Sequence, residues 1–407
     1  MKTWRYRLLT FSLVLWVVSY FLASVSQINT YPTYLISVAV LFLTACPETK
    51  SLLVNNRNFL LVIAVFLAYL AISAIWSGNQ FEFKLLKYAG YAALTFCFVL
   101  GTAILFEQTP TTAYWFLIIM SLSAVVSATY SIWLHYALPD FRPLLDNRLY
   151  ALGRMHSPTI SAYSYALALI VMVYLVFSNI SWQIRTFWVL ASAPVIMAIL
   201  LTGTRSVALA LPFAALIACL AMPGWKTSQK LKVSLGIIFL GALAITLLLQ
   251  TNYAEILTGR AFSFRPEIWM SVLAKFEGAD WRYWLFGFGI SANEQVVFGS
   301  HHFDHAHNLH LATFYYGGAV GLALFELILV LLLLRIIQAR THPYQTLCLG
   351  LLTFSSVILM LDGNRVLEKS NILWLLFWLP AAITLSITNK IPSLVKPGHP
   401  KAAPSSQ

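Results

Sequence analysis

Twelve times along this chain the sequence enters an apolar run close to the roughly 17–25 residues that cross a bilayer, and that repetition constrains the fold more than any other feature. The runs lie near 8–25, 32–46, 59–76, 85–106, 113–137, 159–177, 186–202, 206–222, 232–249, 312–337, 345–361 and 371–388. In hydrocarbon a segment must satisfy its own backbone hydrogen bonds, so each run predicts a helix, and the fold class is an all-α, polytopic integral membrane protein. Charged residues make up only 10% of the chain and mean hydropathy is +0.77, whereas soluble domains carry about 25% charge. Residues 1–390 are expected to form one transmembrane domain, with 391–407, which lack apolar periodicity, as a disordered cytoplasmic tail. The first run follows Lys2, Arg5 and Arg7 and is long for a signal peptide, so it predicts a retained first helix.

Charge placement sets the expected orientation. With the N-terminus inside, 14 of the 26 basic residues fall in inner segments, and four of the remainder lie in one long loop that the positive-inside rule weights lightly. Of the acidic residues, Glu48 and Glu107 fall inside, Glu326 within a span, and the other 11 outside. Both termini are therefore expected on the cytoplasmic side. The formal charge of +12 is spread one to three residues at a time between apolar runs. That pattern suits lipid headgroups and excludes a nucleic-acid site. Cys46, Cys97, Cys219 and Cys348 sit in or beside apolar runs, which predicts neither a disulfide framework nor a cysteine metal site.

Two outer segments are long enough to hold chemistry. The first, about 138–158, carries Arg142, Arg148, Arg154 and His156. The second, about 250–311, contains Arg265-Pro266-Glu267, which reads as a helix start, and the aromatic turn Trp281 to Gly289. It ends in His301-His302-Phe303-Asp304-His305-Ala306-His307-Asn308-Leu309-His310, which holds five of the nine histidines. His301, His305, His307 and Asp304 are of zinc-ligand type, but their spacing is not that of a helical zinc motif and no second ligand cluster accompanies them. Loop histidines bonded to carbonyls are a second reading, suited to His301 and His302. The third makes His307 a general base: a helix starting at about Asn308 places it at a positive helix end, which favours a neutral ring.

Arg205 stands in Thr202-Gly203-Thr204-Arg205-Ser206, where two apolar runs meet. Snorkelling to lipid phosphate would explain it, as would an anion site made with the following helix N-terminus. Arg265 reads either as a loop charge paired with Glu267 or as a second anion ligand, and Arg148 and Arg154 have the same standing. Several outward arginines without an acidic cluster suit a phosphate or diphosphate bound without metal. Asp362, Asn364 and Arg365 in the last outer loop are candidates to line the cavity. Glu326, inside a span, predicts a partner across the bundle or a protonated state.

Three elements in this order carry a family resemblance: Thr-Gly-Thr-Arg205-Ser at the end of a span, Arg265 with Trp269, and His307-Asn308-Leu309-His310-Leu311 with Gly317-Gly318. With the twelve runs, the chain resembles the bacterial O-antigen ligases, relatives of O-antigen polymerases and of O-oligosaccharyltransferases that modify pilins. The motifs cover about 150–320 and the topology covers the whole chain. The resemblance implies a GT-C-like glycosyltransferase of the inner membrane. Such an enzyme moves O-antigen from undecaprenyl diphosphate to the lipid A core oligosaccharide at the periplasmic face, in lipopolysaccharide biosynthesis. It also implies inversion at the anomeric carbon, and neither metal nor other cofactor. Carried onto this chain, His307 accepts the acceptor proton while Arg205 and Arg265 hold the diphosphate; Arg154, Arg148, Asn308 and His305 are expected to bind substrate. A length near 400 residues without an appended soluble domain inclines the reading to ligase over polymerase or protein glycosylation. A transporter of lipid-linked glycans is the competing class, but it would place charges at the membrane midplane, where only Glu326 and His135 fall.

Overall fold

The structure is a computed structural model that describes residues 3–78, 81–137, 148–179, 181–222, 225–250, 264–298 and 301–387. The expected tail 391–407, Arg142 and the first part of the long loop lie outside the described residues. Each of the twelve apolar runs is helical. Seven helices among the described residues are long and apolar enough to cross a membrane: Trp4–Leu22, Arg57–Trp76, Phe83–Gln108, Pro110–Ala137, Pro158–Ser178, Trp182–Thr202 and Leu309–Gln338. An eighth arises if Ser26–Thr44 and Thr49–Asn55, bent by 93°, count as one span. Arg205–Ala221, Gln345–Leu361 and Trp374–Ser386 are apolar but shorter. At 17 residues the first two reach about 25 Å, just under the hydrocarbon thickness. Twelve spans are thus more than length and apolarity alone support.

The bundle is organised around large buried aromatics. Trp16 packs on Phe98 at 4.7 Å, and Phe98 on Trp374 at 4.9 Å, between three helices far apart in sequence. Outward positions are apolar as well: Phe11, Leu41, Leu61 and Leu190 are each at least 59% exposed. Such a surface is stable against lipid and would aggregate in water. Some polar groups inside form a connected network. Trp16 Nε1 donates to Ser370 Oγ, Ser370 Oγ to Asn29 Oδ1, and Asn29 Nδ2 to Trp16 O, which ties the first helix to the last loop.

The expected straight span at 312–337 is instead broken. Within Leu309–Gln338, Gly318 has φ 61° and ψ −163°, outside the helical region. His310 Nδ1 contacts Glu326 Oε1 across the break, although 16 residues would separate the two by about 24 Å along a straight helix. The first leg therefore folds back along the second. Glu326 has its partner on its own helix, which linear spacing hides. Breaking a helix frees its last carbonyls, and the long loop supplies their donors. Phe288 N donates to Tyr315 O at 2.8 Å, Gly289 N to Tyr316 O at 2.9 Å, and Tyr69 Oη to Gly317 O at 2.7 Å.

The long loop is itself ordered over its described part. It contains helices Arg265–Ala274 and Trp281–Phe286, and a two-stranded antiparallel hairpin, Val296–Phe298 with His301–Phe303. That hairpin is a small exception to an all-helical fold.

A Cβ at residue 318 would lie 2.4 Å from Leu285 C and O and 2.5 Å from Gly287 N. Gly278 also has positive φ, 73°, but nothing within 4 Å of such a Cβ. Gly278→Ala is expected to cost only the backbone strain of about 1–2 kcal/mol. Gly318→Ala should cost clearly more and lower the melting temperature in detergent by the larger amount; equal shifts would mean that the loop does not dock at the break.

Candidate active site

His307 reaches the site through backbone that does not choose its own conformation. Among the described residues, two non-glycines have positive φ, Phe264 at 55° and His307 at 50°, and they lie directly before Arg265 and Asn308. Such residues persist when their surroundings over-determine them, and they gather at functional sites. Here Ala306, the residue before His307, is held through both its N–H and its C=O. Glu294, 1% exposed, accepts from Ala306 N at 2.8 Å and from Tyr316 Oη at 2.6 Å. Trp269 Nε1 donates to Ala306 O at 3.1 Å. Behind His307, Asn308 caps the next helix, its Oδ1 accepting from Leu311 N at 3.0 Å.

The ring of His307 is fixed by a residue from the far end of the chain. Its Nδ1 lies 3.1 Å from Asp362 Oδ1, which also accepts from Gly363 N at 2.8 Å. Asp362 Oδ2 accepts from Tyr163 Oη at 2.9 Å, and Ser206 Oγ lies 3.2 Å from that same hydroxyl. With a carboxylate on Nδ1, the proton sits there and Nε2 is the basic atom. Burial works against ionisation of Asp362, but the His307 hydrogen bond and charge, with His305 and the Gly363 N–H, hold its carboxyl down at about 2. His305 Nδ1 accepts from His307 N at 3.1 Å. Burial, and then the neighbouring His307 charge, push His305 down to about 4, so its ring is neutral at working pH.

A cavity of about 290 Å³ opens over this pair. Arg154, His156, His305, His307, Asp362 and Glu368 line it with polar groups, and Ile160, Ile358, Leu359 and Leu376 with hydrocarbon. Such a cavity can take an amphiphile whose polar part meets a base. Arg154 is held by Thr30 Oγ1, to which its Nη2 donates at 2.8 Å.

The arginines sit around this cavity in different ways. Arg265 is not paired with Glu267 as a loop charge: its Nε donates to Leu361 O at 2.8 Å, the residue before Asp362. Arg205 begins the helix expected from the sequence, between Thr204 and the Ser206 that meets Tyr163. Arg148 binds the turn that presents Arg205, donating from Nε to Thr202 O at 2.6 Å and from Nη2 to Thr204 Oγ1 at 3.2 Å. Of the expected site residues, Arg154, His305 and His307 line the cavity, while Arg148, Arg205, Arg265 and Asn308 stand behind or beside it.

Sequence reasoning placed Asp362 only as a lining candidate and missed Tyr163 and Glu294. Tyr163 is one aromatic in an apolar run, and Glu294 one of several loop acids; neither carries a local signal. The ligand-type group that forms is His305, His307 and Asp362, with atoms within 4.8 Å of one another, and Asp304 is not part of it. Both Asp362 oxygens and His305 Nδ1 already accept protein hydrogen bonds, so the group is held together without an ion.

Fold and site together define a polytopic helical membrane protein with a histidine–carboxylate pair in a polar-apolar cavity at one end of its bundle. A sequence model of the family described as O-Antigen ligase matches residues 189–325, a stretch that contains Arg205, Arg265, His305, His307 and Asn308. An O-antigen ligase of Pseudomonas aeruginosa is 28% identical over 360 residues, covering 86% of this chain and 82% of that protein. Residues 189–325 thus match the O-antigen ligase family, and the match spans the three motifs that carry the resemblance.

If Asp362 sets the tautomer of His307, Asp362→Asn should lower turnover by about 10²–10⁴-fold, as expected when a carboxylate that orients a base is neutralised. Tyr163→Phe, which removes one neutral hydrogen bond, should cost about 10-fold or less. Turnover assays on folded variants check both.

Unfolded, His305 titrates near 6.5, and folded near 4. Between those values the unfolded chain binds more protons, so stability rises with pH. The melting temperature should fall as pH is lowered from about 6.5 to 4. His305→Asn should reduce that slope without abolishing it, because His342 is also pushed down to about 4, by burial and then by Arg335.

Proposed function

We propose that this protein transfers a glycan from undecaprenyl diphosphate to a sugar hydroxyl of the lipid A core, at the periplasmic face of the inner membrane, with both termini cytoplasmic. The observation that carries this reading is the His307–Asp362 pair in a cavity lined by both polar and apolar residues. Such a cavity suits a lipid diphosphate whose glycan end meets a base. The acceptor oxygen attacks the anomeric carbon opposite the diphosphate, and its proton passes to His307 Nε2 while Nδ1–H donates to Asp362. The bond from the anomeric carbon to the diphosphate oxygen breaks, and its electron pair leaves with undecaprenyl diphosphate. One displacement inverts the configuration.

The leaving diphosphate gains charge as the bond breaks, and arginines are suited to neutralise it. Arg154 lines the cavity, Arg205 directly precedes the Ser206 that meets the lining residue Tyr163, and Arg265 Nε donates to Leu361 O, the residue before the lining Asp362. A charge-assisted contact of about 1.5–3 kcal/mol made in the transition state is worth about 10- to 100-fold in rate. Arg148 acts on this reading through the turn that presents Arg205, and Asn308 through the helix it caps. The reaction proceeds without metal.

Purified protein in detergent, given undecaprenyl-diphosphate glycan and core-bearing lipid A with a chelator, is expected to glycosylate the lipid. His307→Ala and Arg205→Ala should fold and lose nearly all transfer. Elongation of glycan on its own carrier would instead make the protein a polymerase, and transfer to a pilin-type protein a protein glycosylase. Activity that survives His307→Ala removes the base. Activity lost to the chelator makes His305, His307 and Asp362 a metal site.

A further inference from the structure

A second cleft, of about 560 Å³, opens between the first turn of the Arg57–Ile72 helix and the last turns of the Leu309–Gln338 helix. At its other end the first of these helices reaches the site-bearing loop, where Tyr69 meets Phe286 O and Gly317 O. The cleft is thus at the opposite end of the bundle from His307, on the face where charge placement puts the cytoplasm.

Its lining combines charge and hydrocarbon. Two guanidiniums, Arg57 and Arg335, line it together with Leu327, Leu331 and Leu334, which run up the helix from Arg335. Arg57 is exposed at the helix start, and Arg335 is anchored through Nε to Ile387 O at 2.8 Å. No Asp or Glu lines the cleft, and Glu107 is the acidic neighbour of Arg335. Leu327 and Leu334 are 42% and 47% exposed, on a helix apolar enough to cross a membrane.

Asn56 adds an independent observation. It lines the cleft, is only 2% exposed, and occupies the N-cap of the Arg57–Ile72 helix without a side-chain capping bond. Its Nδ2 donates to Leu52 O at 2.9 Å, which fixes the amide, while its Oδ1 has no hydrogen-bond partner among the described residues. Buried acceptors are rarely left unpaired, so a donor is called for here. The uncapped N-terminal turn adds partial positive charge beside the two arginines.

We propose that this cleft binds one anionic glycerophospholipid, with its phosphate between Arg57 and Arg335, a headgroup hydroxyl on Asn56 Oδ1 and an acyl chain along Leu327, Leu331 and Leu334. Each part of the ligand answers a part of the cleft: an anion for the cations, a donor for the orphan acceptor, hydrocarbon for the leucines. A free phosphate would leave the leucines bare, and a zwitterionic choline headgroup would leave Asn56 without a donor. The site stands apart from the transfer chemistry and does not depend on it.

The full-length protein, purified in detergent and stripped of lipid, is titrated separately with phosphatidylglycerol, phosphatidylcholine and inorganic phosphate. Native mass spectrometry counts adducts and melting temperature follows occupancy. Phosphatidylglycerol should bind saturably, one per chain, and raise the melting temperature; phosphatidylcholine should bind at least about 10-fold more weakly, and phosphate should not stabilise. Arg57→Gln, at an exposed position, should weaken phosphatidylglycerol about 10-fold or more. Leu334→Trp, which fills the cleft from an exposed position, should remove the saturable adduct. Equal affinity for the two lipids, or unchanged phosphatidylglycerol binding in both variants, would overturn the site. Stabilisation by inorganic phosphate equal to that by lipid would overturn the lipid assignment.

Discussion

The hydrogen bond from His307 to Asp362 closes the site, and much of the fold serves to make it. The two residues are 55 positions apart, one at the end of the long loop and the other just past the Gln345–Leu361 helix. A 3.1 Å contact between them requires the loop to return to the bundle at a defined height. The broken helix sets that height: it turns back at Gly318 and leaves three carbonyls for the loop and Tyr69 to bind. In a low-dielectric setting those carbonyls must be paired, so loop and bend hold each other in place.

The strained backbone of His307 follows from the same economy. A positive φ costs an ordinary residue free energy, and here the buried Glu294 and the half-buried Trp269 offset it by binding the preceding residue, Ala306, on its N–H and its C=O. Glu294 also binds Tyr316 on the folded-back leg, so the loop at Ala306 and the broken helix share one carboxylate. A buried acid with both oxygens used in this way acts as a fixed geometric reference. The same structural logic gives Arg148 its place: it binds the Thr202–Thr204 turn and so orients the start of the Arg205 helix.

Much of this was legible in the linear chain. Twelve apolar runs announced helices because hydrocarbon allows a spanning segment little else, and every run is one. The cluster of five histidines at a membrane boundary and the arginine after Thr-Gly-Thr were visible because polar groups are rare in such a chain. Less visible was how many runs are long enough to span, since the Arg205–Ala221 and Gln345–Leu361 helices stop at 17 residues. Also hidden was the break at Gly318, because a glycine pair in an apolar run reads equally as close packing or as a bend.

The sequence by itself determined the class of fold, the histidine-bearing segment and the set of arginines that gather near it. Each of these follows from local composition, and a run of twenty apolar residues or a cluster of histidines means much the same wherever it falls. Only the tertiary structure decided which carboxylate orients His307, which tyrosine supports that carboxylate, and that Glu326 pairs with His310 on its own helix. Hydrogen bonds act over about 3 Å, whereas the residues that form these stand between 16 and 199 positions apart. Their pairing is set by how helices pack and where one of them bends.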